Sequence, residues 1–300
     1  MYTRETESPF CKTSKQKPLK TTTPGKHRPT ESPSWYTDAE KYWDTVPATI
    51  NGMLGGLGQL ARPDAVSSLR FLSEFVTPPS TSSAASIVNP PSNPDTKSTT
   101  STTSTTTTGP EATTATTKRQ KLPLPGSGPS RVLDCGAGIG RVTKQVLIKA
   151  FDHVDLVENS AIFVKQAREE YLHAEIESGK VCEVRCLGLQ NVEFEGTEWE
   201  GRFDVIWCQW VLGHLTEDHL ITFFNRCKKG LKPGGMIFVK ENNAKIGIVI
   251  DEEDSSMTRS DTVWKEMFIK SGLKLLREEV QKGFPSGLFA VKMYALEPIP

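Results

Sequence analysis

No run of apolar residues in this sequence approaches the roughly 18 that a membrane span needs, so a transmembrane helix is excluded. The N-terminus has no apolar core of the kind a secretory signal carries, and export is not expected. An excess of charge of one sign is also missing. Lys and Arg number 36 and Asp and Glu number 36, which gives no support to a nucleic-acid partner. The six cysteines (Cys11, Cys135, Cys182, Cys186, Cys208, Cys227) form no C-x-x-C pair, and no His/Cys cluster has metal-ligand spacing, so no metal site is expected. Several of these cysteines stand in strand-like runs, where a free buried thiol behaves as a small hydrophobe. A reducing, intracellular compartment is therefore expected.

Two stretches also lack the means to build a core. Residues 1–30 hold Lys, Thr and Pro with almost no apolar content and read as a disordered basic tail. Residues 77–129 are dominated by Ser, Thr and Pro, with a near-uniform run from Ser98 to Thr108, and read as a disordered insertion. Between them, residues 31–76 change character. Asp38–Trp43 predicts a short amphipathic helix and Thr49–Leu54 a second turn, with a loop at Gly55, Gly56 and Gly58. Arg62–Phe75 predicts a further helix with Val66, Leu69, Leu72 and Phe75 on one face.

Residues 130–300 alternate strand and helix. Strands are expected at Arg131–Asp134, Asp155–Glu158, Cys182–Arg185, Phe203–Gln209, Met236–Asn242, Leu273–Val280 and Leu288–Leu296. Helices are expected at Arg141–Phe151, Ala161–Ser178, Glu217–Cys227 and Thr262–Lys270. This alternation predicts an α/β fold with a mostly parallel, seven-stranded sheet covered on both faces. The last two strands are close enough in sequence to pair as an antiparallel hairpin at one sheet edge.

The chemistry centres on R-V-L-D-C-G-A-G-I-G-R, Arg131 to Arg141. Gly136, Gly138 and Gly140 remove three side chains from the turn between the first strand and the first helix. The backbone there can approach a ligand closely and aim helix N–H groups at it. Eighteen residues past Gly140 a second apolar strand ends in Glu158, where a carboxylate suits the two hydroxyls of a ribose. The spacing G-x-G-x-G differs from G-x-G-x-x-G, so a dinucleotide is not the first choice, and the pattern resembles the S-adenosylmethionine site of class I methyltransferases. In such a sheet, ligands bind beyond the C-terminal strand ends, where Leu189, Gln190, Gln209, Trp210 and His214 also fall. Arg141 reads equally as a partner for a cofactor carboxylate or as an exposed helix-start arginine. The run D-E-E-D-S-S, residues 251–256, reads as a solvated loop or as an acidic pocket for a cationic substrate.

Seven segments occur in order: W-Y-T-D-A-E-K-Y-W, I-N-G-M-L-G-G, L-D-C-G-A-G-I-G-R, G-L-Q, V-I-W-C-Q-W-V-L-G-H-L-T, V-K-E-N and D-E-E-D-S-S. Over residues 32–76 and 130–300 the chain resembles the alpha-N-terminal protein methyltransferases. That resemblance implies a Rossmann-like class I methyltransferase fold with an N-terminal helical lid and S-adenosylmethionine as cofactor. It implies action on the terminal amine of proteins that begin X-Pro-Lys or X-Pro-Arg once the initiator Met is removed. Gly136, Gly138, Gly140, Arg141, Glu158, Leu189, Gln190 and Gln209 would hold the cofactor. Trp210 would stack on the second-position proline, Asn242 would bind the first substrate residues, and Asp254 with His214 would face the amine. Asp251 and Ser256 would take the third-position cation, with Phe289 beside the substrate and Tyr42, Trp43, Leu54 and Gly55 as the lid. Two departures stand out: Glu158 replaces the family's usual Asp, and Phe289 stands near where a Tyr is expected. A monomer working in the cytoplasm, the nucleus or both is expected, with protein N-termini as partners. The competing classes are a methyltransferase of small amines or RNA, a non-catalytic binding module and a nicotinamide-dependent oxidoreductase.

Overall fold

A computed structural model describes residues 34–76 and 129–300; the expected basic tail and residues 77–128 of the expected insertion lie outside the described residues. Ahead of the sheet come helices α1 (Trp35–Thr45), α2 (Ile50–Met53) and α3 (Ala61–Leu72). The strands are β1 (Arg131–Cys135), β2 (His153–Glu158), β3 (Val181–Cys186), β4 (Phe203–Gln209), β5 (Leu231–Asn243), β6 (Ile248–Asp251), β7 (Ser256–Arg259), β8 (Leu273–Val280) and β9 (Ala290–Pro298). Between them run α4 (141–150), α5 (161–177), α6 (Glu217–Gly230) and α7 (Asp261–Lys270).

The seven-stranded sheet has the order β3-β2-β1-β4-β5-β9-β8. The five strands β1–β5 are parallel: α4, α5 and α6 return the chain after β1, β2 and β4, and a longer loop does so between β3 and β4. The expected hairpin closes one edge: β9 runs antiparallel between β5 and β8. Strands buried on both faces need apolar residues on both, and β4 supplies them in F-D-V-I-W-C-Q, buried throughout. Val205 and Trp207 face one core cluster, with Phe71, Phe151 and Phe238; Ile206 and Cys208 face the other, with Trp199, Phe224 and Trp264.

Three details refine the expectations. The apolar run Ile246–Ile250 also predicts a strand, and the strand forms at Ile248–Asp251, outside the seven-stranded sheet, paired with Ser256–Arg259 in a separate hairpin. Strand β5 starts at Leu231, ahead of the Pro-Gly-Gly turn. On α3 the expected row holds at Leu69, Leu72 and Phe75, which face the core, but not at Val66, which is 60% exposed, and the inward face also carries Asp64, Ser68 and Phe71. That face is partly polar because it covers a buried lysine, Lys240 of β5, whose Nζ donates to Ser68 Oγ at 2.9 Å.

Candidate active site

At the C-terminal ends of β1, β2 and β4 the backbone opens a cavity of about 400 Å³. Its floor is the glycine turn. Gly136, Gly138 and Gly140 all have positive φ (66°, 58° and 88°), where a side chain is strained. A Cβ at Gly136 would lie 2.3 Å from Val211, so this turn admits glycine alone. Gly140 serves packing instead, since its Cβ would meet Leu172 at 2.2 Å.

Glu158 ends β2 with both oxygens fixed: Oε2 accepts the Gly138 N–H at 2.8 Å and Oε1 the Ser160 N–H at 2.9 Å. Burial pushes its carboxyl above the usual range, and these amides pull it partway back. Each carboxylate oxygen keeps a further lone pair, so a diol can still donate to it. Departing from Asp to Glu therefore preserves the charge at this edge of the cavity.

Arg141 is buried, which removes the reading of an exposed helix-start arginine. Its Nη1 donates to Asp64 Oδ2 at 2.7 Å, and its guanidinium carbon lies 5.5 Å from the centroid of Trp210. Asp64 also accepts from Gln209 Nε2 at 2.9 and 3.0 Å and pairs with Lys240 Nζ at 2.5 Å. Two cations thus share one carboxylate, and the surplus positive charge beside the cavity suits a ligand carboxylate. The glycine cradle, Glu158 and this cationic corner fit S-adenosylmethionine, a ligand with a ribose, a carboxylate and a close backbone contact.

Trp210, His214, Asn242, Asp251, Asp254, Ser256 and Phe289 line the same cavity. Trp210 leaves β4 with φ 54°, an uncommon conformation for a bulky residue. In the acidic run the two sequence readings divide: Glu252 and Glu253 are solvated, whereas Asp251 and Asp254 line the cavity and Asp254 is buried. Helix α1 covers the opening. Trp35 Nε1 donates to the His214 carbonyl at 2.7 Å, and Trp43 Nε1 donates to His214 Nε2 at 3.1 Å. An indole N–H only donates, so Nε2 is the acceptor in this contact and Nδ1–H donates to the Ser255 carbonyl at 3.1 Å.

The structure brings sixteen of the predicted site residues into this one cavity, counting Leu54, Leu189 and Gln190, and leaves out Gly140, Tyr42 and Gly55. Tyr42 packs edge-on against Trp43, and Gly55 makes the left-handed turn after α2. The sequence reading missed Tyr36, Ala39 and Glu40, which line the cavity with Trp43. Their spacing i, i+3, i+4 and i+7 is one helix face and was a usable signal. It also missed Asp64 and Glu241, for which no local pattern exists.

The fold and site agree with what the chain is similar to. A family model described as AdoMet dependent proline di-methyltransferase matches residues 31–89 and 113–297. An Arabidopsis thaliana protein named alpha N-terminal protein methyltransferase 1 is 40% identical over 267 residues, covering 89% of this chain and 81% of the relative. A Danio rerio protein named N-terminal Xaa-Pro-Lys N-methyltransferase 1 is 35% identical, covering 88% of this chain and 95% of the relative. A solved Leishmania major SAM-dependent methyltransferase superposes with a TM-score of 0.66 at 30% identity, over 91% of this chain and 87% of that one. The match spans both the N-terminal helices and the sheet that together enclose the cavity, and the chain belongs to the AdoMet-dependent proline di-methyltransferase family.

Proposed function

We propose that the chain transfers methyl groups from S-adenosylmethionine to the α-amine of proteins that begin X-Pro-Lys or X-Pro-Arg. One observation carries this reading. A single cavity is lined by the glycine turn and Glu158 together with Trp210, Asn242, Asp251 and Asp254. Bound beside the glycine turn and Glu158, S-adenosylmethionine supplies an electrophilic sulfonium methyl group. The rest falls to the protein. Gly136, Gly138, Arg141, Glu158, Leu189, Gln190 and Gln209 bind and orient the donor. The Trp210 ring offers a flat apolar face to a rigid proline, and Asn242 holds the first substrate residues. Asp251 and Ser256 take the third-position cation, beside Phe289, which provides contact without a hydroxyl. Helices α1 and α2, with Trp43 and Leu54, exclude water, so positioning supplies most of the acceleration.

An α-amine has a pKa near 8, so much of it arrives protonated and must lose a proton before attack. Asp254 is the proton acceptor in this arrangement. His214 acts differently: Nε2 already accepts from Trp43 and Nδ1–H is spent on Ser255, so the ring holds the lid and the acidic hairpin together. The cavity is completed by the chain's own N-terminal helices, which suits a monomer acting on soluble protein N-termini in the cytoplasm or nucleus.

Mass spectrometry of a Pro-Lys-starting peptide incubated with enzyme and S-adenosylmethionine tests the reading. Methylation confined to the α-amine is expected. Methylation of a small amine in its place, with the peptide untouched, refutes it.

A further inference from the structure

Glu241 and Arg259 have no part in the roles just assigned, yet both are buried charges that spend their hydrogen bonds on one turn. That turn, residues 210–215, carries Trp210 and His214. It starts with Trp210 in the left-handed region (φ 54°), a conformation that persists only when its surroundings hold it. Glu241, near the end of β5, supplies the first restraint: Oε1 accepts the N–H groups of Val211 and Leu212, each at 2.9 Å. Arg259, the last residue of β7, supplies the second. Its Nη1 donates to the Leu212 carbonyl at 3.1 Å and its Nη2 to the Leu215 carbonyl at 2.6 Å.

Neither group is replaceable by solvent. Arg259 has its guanidinium carbon 5.2 Å from the Trp264 ring centroid and is fully buried. Gly213, between the two restraints, packs so closely on β7 that a Cβ would sit 3.1 Å from the Met257 carbonyl oxygen. Burial lowers the Arg259 guanidinium to about 10 and raises the Glu241 carboxyl to about 7, while each group draws the other partway back, so the two sense each other across the turn. Arg259 also ends the hairpin that carries Asp251 and Asp254, so one side chain links the substrate's acidic contacts to its aromatic one.

We propose that Glu241 and Arg259 are positioning residues for the peptide: between them they fix the turn that aims Trp210 and His214, and tie its register to the acidic hairpin. The inference rests on the peptide reading above. It makes substrate handling, more than cofactor binding, the quantity these residues control: the glycine turn and Glu158 are carried by β1 and β2 and meet the 210–215 turn only where Gly136 packs on Val211 and Arg141 on Trp210.

Three variants test it, by steady-state kinetics on a Pro-Lys-starting peptide and by calorimetric titration of S-adenosylmethionine. Glu241→Gln keeps an oxygen that accepts both N–H groups and should retain kcat/KM within about threefold. Glu241→Leu keeps the size but strands two buried N–H groups, and should lower kcat/KM by about 10-fold or more, with KM rising. Arg259→Lys keeps the charge but cannot span two carbonyls, and should behave like Glu241→Leu. In all three, cofactor affinity should stay within about twofold. Wild-type kcat/KM in both Glu241→Leu and Arg259→Lys overturns the proposal. So does a loss of cofactor affinity parallel to the loss of turnover, which marks ordinary packing. Equal losses in Glu241→Gln and Glu241→Leu also overturn it, since the carboxylate itself would then be acting. If Glu241→Leu does not fold, Arg259→Lys and Glu241→Gln still decide the matter. A wild-type enzyme that binds the cofactor and leaves the peptide unmodified is a failure of the functional reading, seen before any variant is made.

Discussion

Replacing Asp64 by Asn should be among the most damaging single changes of its size in this protein. Asp64 is fully buried and serves Arg141, Lys240 and Gln209 at once. Burial alone would raise its carboxyl, but the two neighbouring cations hold it below the usual range, so it is a carboxylate. The amide preserves shape and removes the carboxylate that pairs with both cations. Lys240 Nζ would keep only neutral acceptors: Ser68 Oγ at 2.9 Å, Gln281 Oε1 at 2.7 Å and the backbone carbonyl of residue 64 at 3.2 Å. Removing one partner of a buried pair costs about 3–5 kcal/mol. For a folded unit of this size each kcal/mol shifts Tm by about 2–4 °C, so calorimetry should record a fall of about 6–20 °C. The cofactor should suffer too. Arg141 and Gln209 lose their common anchor, and a tenfold weaker S-adenosylmethionine affinity corresponds to about 1.4 kcal/mol. A second variant isolates the charge effect: Lys240→Met in the Asp64→Asn background removes the stranded ammonium. The double variant should be about 1–3 kcal/mol more stable than additivity of the singles allows. A melting temperature for Asp64→Asn within about 2 °C of wild type, or strict additivity in the double variant, refutes the reasoning.

Asp254→Asn should lower kcat by roughly 10²–10⁴-fold with cofactor affinity unchanged, and its residual activity should rise as pH approaches the α-amine pKa. A near-normal rate at neutral pH removes Asp254 from the proton transfer. Asp251→Lys should raise KM for a peptide with Lys in third place, through like-charge repulsion, while a peptide with Glu there gains; equal effects on both peptides contradict the pocket assignment. Burial raises the Asp134 carboxyl from 3.8 to about 7, against the pull of the Thr143 hydroxyl that donates to it at 2.6 Å. The native state then keeps a proton that the unfolded chain releases. Its stabilising contribution is complete below about pH 4 and drains away up to about pH 7, at about 1.4 kcal/mol per pH unit. Urea midpoints across that window should fall less steeply for Asp134→Asn than for wild type, and an unchanged slope rejects the assignment.

What could be read from the sequence was what nearby residues encode together. The strand β1, the glycine turn and Glu158 lie within 28 residues, and each follows from a local rule: an apolar run, a turn that tolerates no side chain, an acid at a strand end. Trp210 and His214 were accessible for the same reason, because they directly follow a strand whose end is a binding position. The hairpin β6–β7 was only half legible. An apolar run predicts a strand, but whether it joins the main sheet or pairs with the next segment depends on a turn at Ser255, which has φ 52° without being glycine.

Asp64 shows where local rules stop. In A-R-P-D-A-V-S-S-L-R-F-L, periodicity favours an apolar row through Val66 and Leu69, because a buried aspartate on a helix is unfavourable unless something compensates it. The compensation comes from Arg141, 77 residues away, and Lys240, 176 residues away, and no pattern in residues 61–72 announces either. The consequence reaches beyond one residue. The N-terminal stretch reads from its sequence as a lid laid over a complete catalytic domain. The structure divides it differently: α1 and α2 roof the cavity, whereas α3 contributes Phe71 and Leu72 to the core and Asp64 to the cationic corner of the cofactor site. A protein cut to begin at residue 129 would therefore lack more than its cover. It would expose Phe238 where Phe71 and Phe75 now pack, and leave Arg141 and Lys240 without their shared carboxylate.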